Sequence, residues 1–467
     1  MIEKCSNEPM THYLSVHGHF YQPPREDPAT GIVPHEPGAR PFHDYNAKIL
    51  SECYRPNAEH GNFDRISFDI GPTLGLWIRK HHPTVLDRII EGDRRAVERT
   101  GHGNAIAQSF HHTILPLASP RDRLTEIRWG NRWFEHAFGR RPEGIWLPET
   151  AVDLPTLEAC AAEGLRFTIL CPDQASEPVD TRYPYHVALP SGAGFTVVFY
   201  EGPLSGTVSF DHSATDSAEH FVERFVRPRF AGLSPDADPI VVIASDGEVY
   251  GHHHPFKDYF LADLLNVRAP QAGIMPVSLE HYLSLHSASR PIGIREWSSW
   301  GCPDRLLRWR GDCACTPGDG SWKAELRAAF DALAARIDIV TEEKLDGIVV
   351  DPWVLRDRYV DVVIGARTAT DWLLEHGFPE RGREADAVLT VMRAQQSRLA
   401  MYASCAFYWD DLTRIEAAYG VRSGFYAALL LDEAFDTDLG AEFAIQLSGV
   451  VGWKTDKSAA ELYAGRR

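Results

Sequence analysis

Pro239-Ile240-Val241-Val242-Ile243-Ala244-Ser245-Asp246-Gly247-Glu248 is the stretch on which the reading of the fold turns. Ile240 to Ile243 are all β-branched, and they do not alternate with polar residues. A strand made of them meets water on neither face, which is the mark of a parallel strand covered on both sides. A carboxylate, Asp246, follows directly. The end of such a strand is where barrel enzymes place reacting groups. A second run, Gly144-Ile145-Trp146-Leu147-Pro148, stops on another acid, Glu149. Two acids at two strand ends can face each other across one mouth.

Working outward, further β-type runs stand at 13–16, 65–68, 104–107, 167–170 and 273–277. Helical stretches are predicted between them at 84–99, 121–138 and 154–163. Asp153 before Leu154-Pro155 reads as an N-cap with proline in the first turn. Strands alternating with helices imply a parallel sheet with right-handed crossovers, hence an α/β fold. The run at 195–200 reads as one more strand, outside the main sheet. Beyond residue 320 the pattern changes. Trp322, Leu326, Phe330, Leu333 and Ile337 form one apolar stripe at helical spacing. More helices are predicted over 354–375, 385–412 and 423–434. The expected organisation is a catalytic barrel over 11–290, an irregular connection over 291–321 rich in Gly, Pro, Cys and Asp, and a helical region over 322–467 packed on the barrel.

The chain has 467 residues, 44% hydrophobic and 24% charged, with a formal net charge of −18. These values suit a soluble globular protein with a sizeable core. No basic cluster suggests a nucleic-acid partner. No apolar run reaches the length of a membrane span or a signal peptide, so the expected location is cytoplasmic. Eight cysteines without a C-x-x-C pair read as reduced thiols. The tightest group, Cys302, Cys313 and Cys315, leaves a metal or redox role as its alternative.

The polar residues gather at one end of the predicted strands. His17-Gly18-His19 closes the first strand, and residues two apart share a face. Gln108, His111 and His112 follow the third. Glu248, His252, His253 and His254 follow Asp246. A paired-carboxylate pocket of this kind suits glycoside hydrolysis, with one acid as nucleophile and the other as proton donor, roughly 5–5.5 Å apart in a retaining enzyme. Trp146 could then stack on a sugar ring. Two other readings stay open: a metal-dependent carbohydrate deacetylase or hydrolase built on His17, His19 and Asp246, and a glycan-binding protein without activity. The presence of both acids argues against the last.

Four segments, in order, resemble the motifs of glycoside hydrolase family 57, whose members act on α-glucans. They are His17-Gly18-His19 with Gln22-Pro23, then His112-Thr113-Ile114-Leu115-Pro116, then Gly144 to Glu149, then Asp246-Gly247-Glu248-Val249-Tyr250-Gly251-His252. The resemblance implies an incomplete seven-stranded (β/α) barrel, a retaining mechanism, and no cofactor or metal at the acids. It makes Glu149 the nucleophile and Asp246 the acid/base. It places His17, His19, His112, Trp146, Glu248 and His252 around an α-glucan or malto-oligosaccharide. No fifth motif stands out. The doubled histidine after Gln108 departs from the better-known members. The stretch from Trp300 to Cys315 resembles a less characterised branch. Hydrolysis, transfer and branching all remain open.

Overall fold

A computed structural model describes residues 12–233 and 238–463. Among the described residues there are ten strands: β1 His12–Phe20, β2 Ser67–Ile70, β3 Ala107–Gln108, β4 Gly144–Trp146, β5 Phe167–Leu170, β6 Tyr185–Ala188, β7 Gly194–Phe199, β8 Ile240–Asp246, β9 Ile274–Pro276 and β10 Arg290–Pro291. With the helices between them they make an α/β fold, followed by a helical C-terminal region. The ladders form two separate sheets. In one, β1 lies between β2 and β8, and β9 joins the beginning of β1. In the other, the order is β10-β6-β7-β5-β4-β3. All pairings are parallel except β6 with β7. Among the described residues, no continuous ladder joins the two sheets. The two sheets touch through a parallel bridge from Phe68 to Ala105, and through the Glu201 N–H donated to the Val242 carbonyl at 2.7 Å.

The β-branched run behaves as its composition demands. From Ile240 to Ser245, β8 is buried throughout. Tyr13, Trp146, Phe167, Ile169, Val198, Ile240, Val242 and Ala244 pack together in one cluster. These are alternate residues of their strands, so one face of each strand points into a shared interior. The opposite faces join the larger core beneath the helices.

Two expectations need correction. The run at 195–200 does not lie outside the main sheet. It is β7, paired parallel with β5 in the wall, and the outlying strand is β6. The strand expected at 65–68 sits two residues further on, which brings Asp69 inside β2.

The stripe on Trp322, Leu326, Phe330, Leu333 and Ile337 is buried on a helix running Trp322–Leu345. The single helix expected over 354–375 is three: Pro352–Arg358, Val360–Val363 and Ala369–Glu375. Gly365 takes a φ of 73° and Thr368 caps a new start, accepting from the Asp371 N–H. The helix expected over 385–412 runs Arg383–Ala400, and a short turn of helix follows at Cys405–Tyr408. Between them the backbone turns to meet the α/β region: the Ser404 N–H donates to the His112 carbonyl at 2.9 Å, and Ala403 bridges Thr113.

A buried ionic network ties the two parts together. Asp122, on the helix Pro120–Phe138 of the α/β region, accepts from Arg356 at 2.8 Å and from Arg398 at 2.9 Å. Arg398 continues to Asp338, and Gln395 bonds both Arg356 and Thr341. Burial opposes the Asp122 charge, but the two guanidinium groups outweigh it and hold the carboxyl at about 2, against an ordinary 3.8. A depressed acid adds stability above its unfolded pKa and loses it as the pH falls toward the folded value. The shift corresponds to about 2 kcal/mol, present at neutral pH and lost between about pH 4 and 2. Asp122→Ala leaves the buried Arg356 without its carboxylate partner and Arg398 with Asp338 alone, and it should cost about 3–5 kcal/mol in urea unfolding. A loss under about 1 kcal/mol would mean that the network adds little.

Candidate active site

The site is set by strand register. In the ladder, His17 stands beside Ser67 on one side and Ala244 on the other; His19 stands beside Asp69 and Asp246. Partners in register point to the same face. Asp69, His19 and Asp246 therefore form a row across three adjacent strand ends.

Asp69 is the hub of this row. It is fully buried and accepts from both imidazoles, His17 Nε2 at 3.1 Å and His19 Nδ1 at 2.9 Å, and from Gln108 Nε2 at 3.1 Å. The other nitrogen of His17 lies 3.0 Å from Ser67 Oγ. His19 Nε2 lies 3.2 Å from His112 Nε2, and His112 Nδ1 lies 2.6 Å from Ser404 Oγ. Charge assigns the tautomers in this chain. Burial pulls His17 down, so it is neutral. Burial would do the same to His19, but Asp69, Asp246 and Glu248 outweigh it and raise it to about 9. Burial and the charge on His19 push His112 well below the usual range. His19 is thus an imidazolium donating to Asp69 and to His112, and neutral His112 passes its own N–H to Ser404.

Glu149 stands on a strained turn. Its φ is 57° and that of Thr150 is 51°. Left-handed non-glycine residues cost on the order of 1–3 kcal/mol each and persist only where the surroundings hold them. Here Thr150 donates its hydroxyl to Gln174 at 2.8 Å, and Gln174 Nε2 donates to the Thr150 carbonyl at 2.7 Å. The Trp300 N–H is given to Thr150 Oγ1 at 2.9 Å, and the Trp300 indole N–H to Glu149 Oε2 at 3.1 Å. Burial, with the nearby Asp246 charge, raises Glu149 to about 7, while Trp300, His19 and Arg308 oppose the rise. Burial therefore makes this acid resist ionisation.

Glu248 is buried, and it too rises to about 7, through burial and the charge of Asp246, against the Tyr54 hydroxyl that donates to it at 2.5 Å. Gly251 has a φ of 148°, and a Cβ there would come within 2.4 Å of the Glu52 carbonyl. That close pass brings Glu52 to His252, whose Nδ1 lies 2.6 Å from Oε2.

A cavity of about 1460 Å³ opens over these groups. Its wall includes His19, His112, Glu149, Asp246, Glu248 and His252. Trp146 and His17 do not reach it. Both are fully buried, Trp146 stacked on His17 and His19 with ring centroids 4.9 and 5.0 Å away. The expectation that they line the sugar site is corrected: Trp146 is the floor under the histidines. The aromatic side chains in the wall include Tyr21, Tyr200, Trp300, Tyr408 and Trp409. The metal alternative meets an obstacle in the same geometry. His17 is buried beneath the cavity wall, and both nitrogens of each histidine already have protein partners.

Sequence reasoning missed Asp69, Tyr54 and the Ser404–Glu416 wall. Asp69 carried the same strand-end signal as Asp246, obscured by a strand placed two residues early. The residues supplied by the C-terminal region carry no local signal.

The comparisons fit this geometry. The profile of glycosyl hydrolase family 57 matches residues 2–290, and a domain of unknown function, DUF3536, matches residues 319–464. The chain belongs to glycosyl hydrolase family 57. It resembles the solved exo-type maltose-forming amylase of Pyrococcus sp. ST04, with a TM-score of 0.74 at 16% identity over 94% of this chain and 83% of that one. It also resembles a branching enzyme of Thermococcus kodakaraensis, with a TM-score of 0.62 at 16% identity over 93% of this chain and 91% of that one. At these identities the likeness is one of fold. Alpha-amylase 1 of Dictyoglomus thermophilum is 26% identical over 98 residues, 21% of this chain and only 13% of that amylase. Among the described residues, no helix is long and apolar enough to cross a membrane.

Replacing Trp300 by Phe removes a donor that favours the ionised form of Glu149. The titration midpoint of Glu149 should then move above about 7. Carbon NMR of carboxyl-labelled glutamate, with Glu149→Gln to assign the resonance, reads it directly. An unmoved or lowered midpoint would disprove the role given to the indole.

Proposed function

We propose that this protein is a retaining enzyme of α-glucans, hydrolysing or transferring α-linked glucosyl units, with Glu149 as nucleophile and Asp246 as acid/base. The observation that carries the reading is the meeting of these two carboxylates in one cavity wall, close enough for the charge of Asp246 to raise Glu149. Family membership and the amylase and branching-enzyme folds support the substrate class. We also read the two sheets as one incomplete seven-stranded barrel. Its wall would be β1, β2, β3, β4, β5, β7 and β8, joined where Phe68 meets Ala105 and where Glu201 meets Val242.

In this reading Glu149 attacks the anomeric carbon while Asp246 gives its proton to the departing oxygen. Asp246 then takes a proton from water or from a sugar hydroxyl, which releases the glycosyl group from Glu149. The His19 imidazolium offsets the negative charge of the acid cluster. The Trp300 indole holds the attacking oxygen in place. Tyr200, Trp300, Tyr408 and Trp409 offer faces for sugar rings, and His112 and His252 offer polar contacts.

Asp246→Asn should slow turnover about 10²–10⁴-fold, and Glu149→Gln at least as much, with unchanged circular dichroism. Incubation with maltoheptaose and amylose, followed by product analysis, separates hydrolysis, disproportionation, branching and mere binding. The first-formed sugar should be the α-anomer by proton NMR before mutarotation. An inverted product, or full activity in either variant, would overturn the assignment.

Glu149 rises to about 7 partly because a charged Asp246 faces it, so the pair keeps its last proton up to about that pH. The mechanism needs that proton on Asp246, so the alkaline limb of kcat/KM should lie near pH 7 and activity should fall above it. Full activity held up to about pH 9 would show that the shared proton of the pair does not govern turnover.

A further inference from the structure

The connection between the last strand and the C-terminal helices poses a structural question. From Ile292 to Ser321 its regular structure is one short 3-10 turn, Leu307–Trp309. It nevertheless carries Trp300 and Gly301 into the cavity wall, and it buries Leu306 and Trp309 completely. Arg305 and Leu306 stand at φ values of 45° and 62°. Backbone hydrogen bonds tie the segment to its neighbours only as far as Trp300, and the consecutive left-handed residues beyond persist only where their surroundings hold them.

Three thiols meet at that place. Their sulfur atoms all lie within 4.8 Å of one another, and they form the one candidate cluster of metal-ligating side chains among the described residues. Cys302 Sγ and Cys313 Sγ are 3.7 Å apart. Two ligands on a tetrahedral zinc ion, each about 2.3 Å from it, are separated by about 3.8 Å. Cys313 and Cys315 lie closer, at 2.8 Å, so Cys315 must swing outward to take its ligand position. It is the least buried of the three and has room to do so. A cationic and hydrogen-bonding surround is already present. Arg308 donates Nε–H to Cys315 Sγ at 3.3 Å and Nη2–H to the Cys315 carbonyl at 2.7 Å. Outer partners of this kind orient ligands and offset the surplus charge of thiolates around a dication.

We propose that Cys302, Cys313 and Cys315 form a three-thiolate site for a soft divalent cation of the zinc type, with a solvent molecule as fourth ligand. Binding makes a metal–sulfur bond to each cysteine and releases the thiol protons to solvent. The ion does no chemistry on sugar. It clips the loop that presents Trp300 to Glu149, two residues from Cys302. The site is independent of the reaction proposed above.

The full chain, expressed in zinc-supplemented medium and purified without chelator, should hold about one equivalent of zinc by elemental mass spectrometry. Metal-free protein titrated with cobalt(II) should develop the sulfur-to-metal charge-transfer band and the intense visible bands of a tetrahedral thiolate site. Cys315→Ser, at the most exposed ligand, should bind cobalt at least about tenfold more weakly. Cys160→Ala, at a buried thiol outside the cluster, should bind it as the parent does. Zinc should also raise the melting temperature of the parent protein. Less than a tenth of an equivalent of metal together with no cobalt–thiolate band would overturn the proposal. So would a cluster isolated as a disulfide, seen as an intact mass lighter by two hydrogens. Activity is not among these readouts, so failure here leaves the carboxylate mechanism standing, and the converse holds too.

Discussion

The Asp69 carboxylate, buried between two histidines, is the interaction from which the rest of the site follows. An isolated buried charge would neutralise, so Asp69 needs a cation, and His19 supplies it. Once His19 is an imidazolium, its second N–H must find an acceptor. That acceptor is His112, which must then be neutral and donate onward to Ser404. A single ionic contact at the end of β1 therefore fixes tautomers from β2 across to the C-terminal region. It also places a positive charge among Asp246, Glu248 and Glu149, where carboxylates alone would repel one another.

The C-terminal helices are consequently part of the site and not an appendage. They hold Ser404, which ends the proton chain, and Tyr408 and Trp409 in the cavity wall. Arg308 lies over the Tyr408 ring at 4.3 Å and favours the ionised form of Glu149. The Asp122 network explains how such contacts can be positioned. A carboxylate on a helix of the α/β region and two arginines on the C-terminal helices are buried together, and each charge is expensive if the other side moves away. Sliding the region by even part of a helical turn would break that arrangement and the His112–Ser404 contact together.

Much of this was legible in the sequence, for physical reasons. Ile240 to Ile243 could only be a strand buried on both faces, and the acid after it could only stand at its end. The stripe from Trp322 to Ile337 could only be a helix with a buried side. Trp146 was misread because burial and sugar stacking ask for the same residue, and nothing local says which way an indole points. Asp69 was overlooked because Ser67, Phe68, Asp69 and Ile70 are less β-prone than the runs that drew attention. The break at Gly365 was visible as a glycine, but glycine inside a helical pattern is tolerated often enough not to decide the matter. Contacts such as His112 with Ser404 depend on how distant segments pack, and no periodicity encodes them.

Strain and support in the Glu149 turn belong to one argument. Two adjacent left-handed residues store energy that their surroundings must offset. The support comes from Gln174, after β5, and from Trp300, in a loop with almost no regular structure. A carboxylate held this way has little freedom to turn, and in the proposed mechanism attack on an anomeric carbon rewards that fixity. The same hold exposes the site to whatever governs the loop. Trp300 both braces Thr150 and donates to Glu149, so a shift of the loop would loosen the turn and raise the acid at once. Position and ionisation of Glu149 are thus coupled through one side chain, and the packing of the segment from Trp297 to Trp322 sets both.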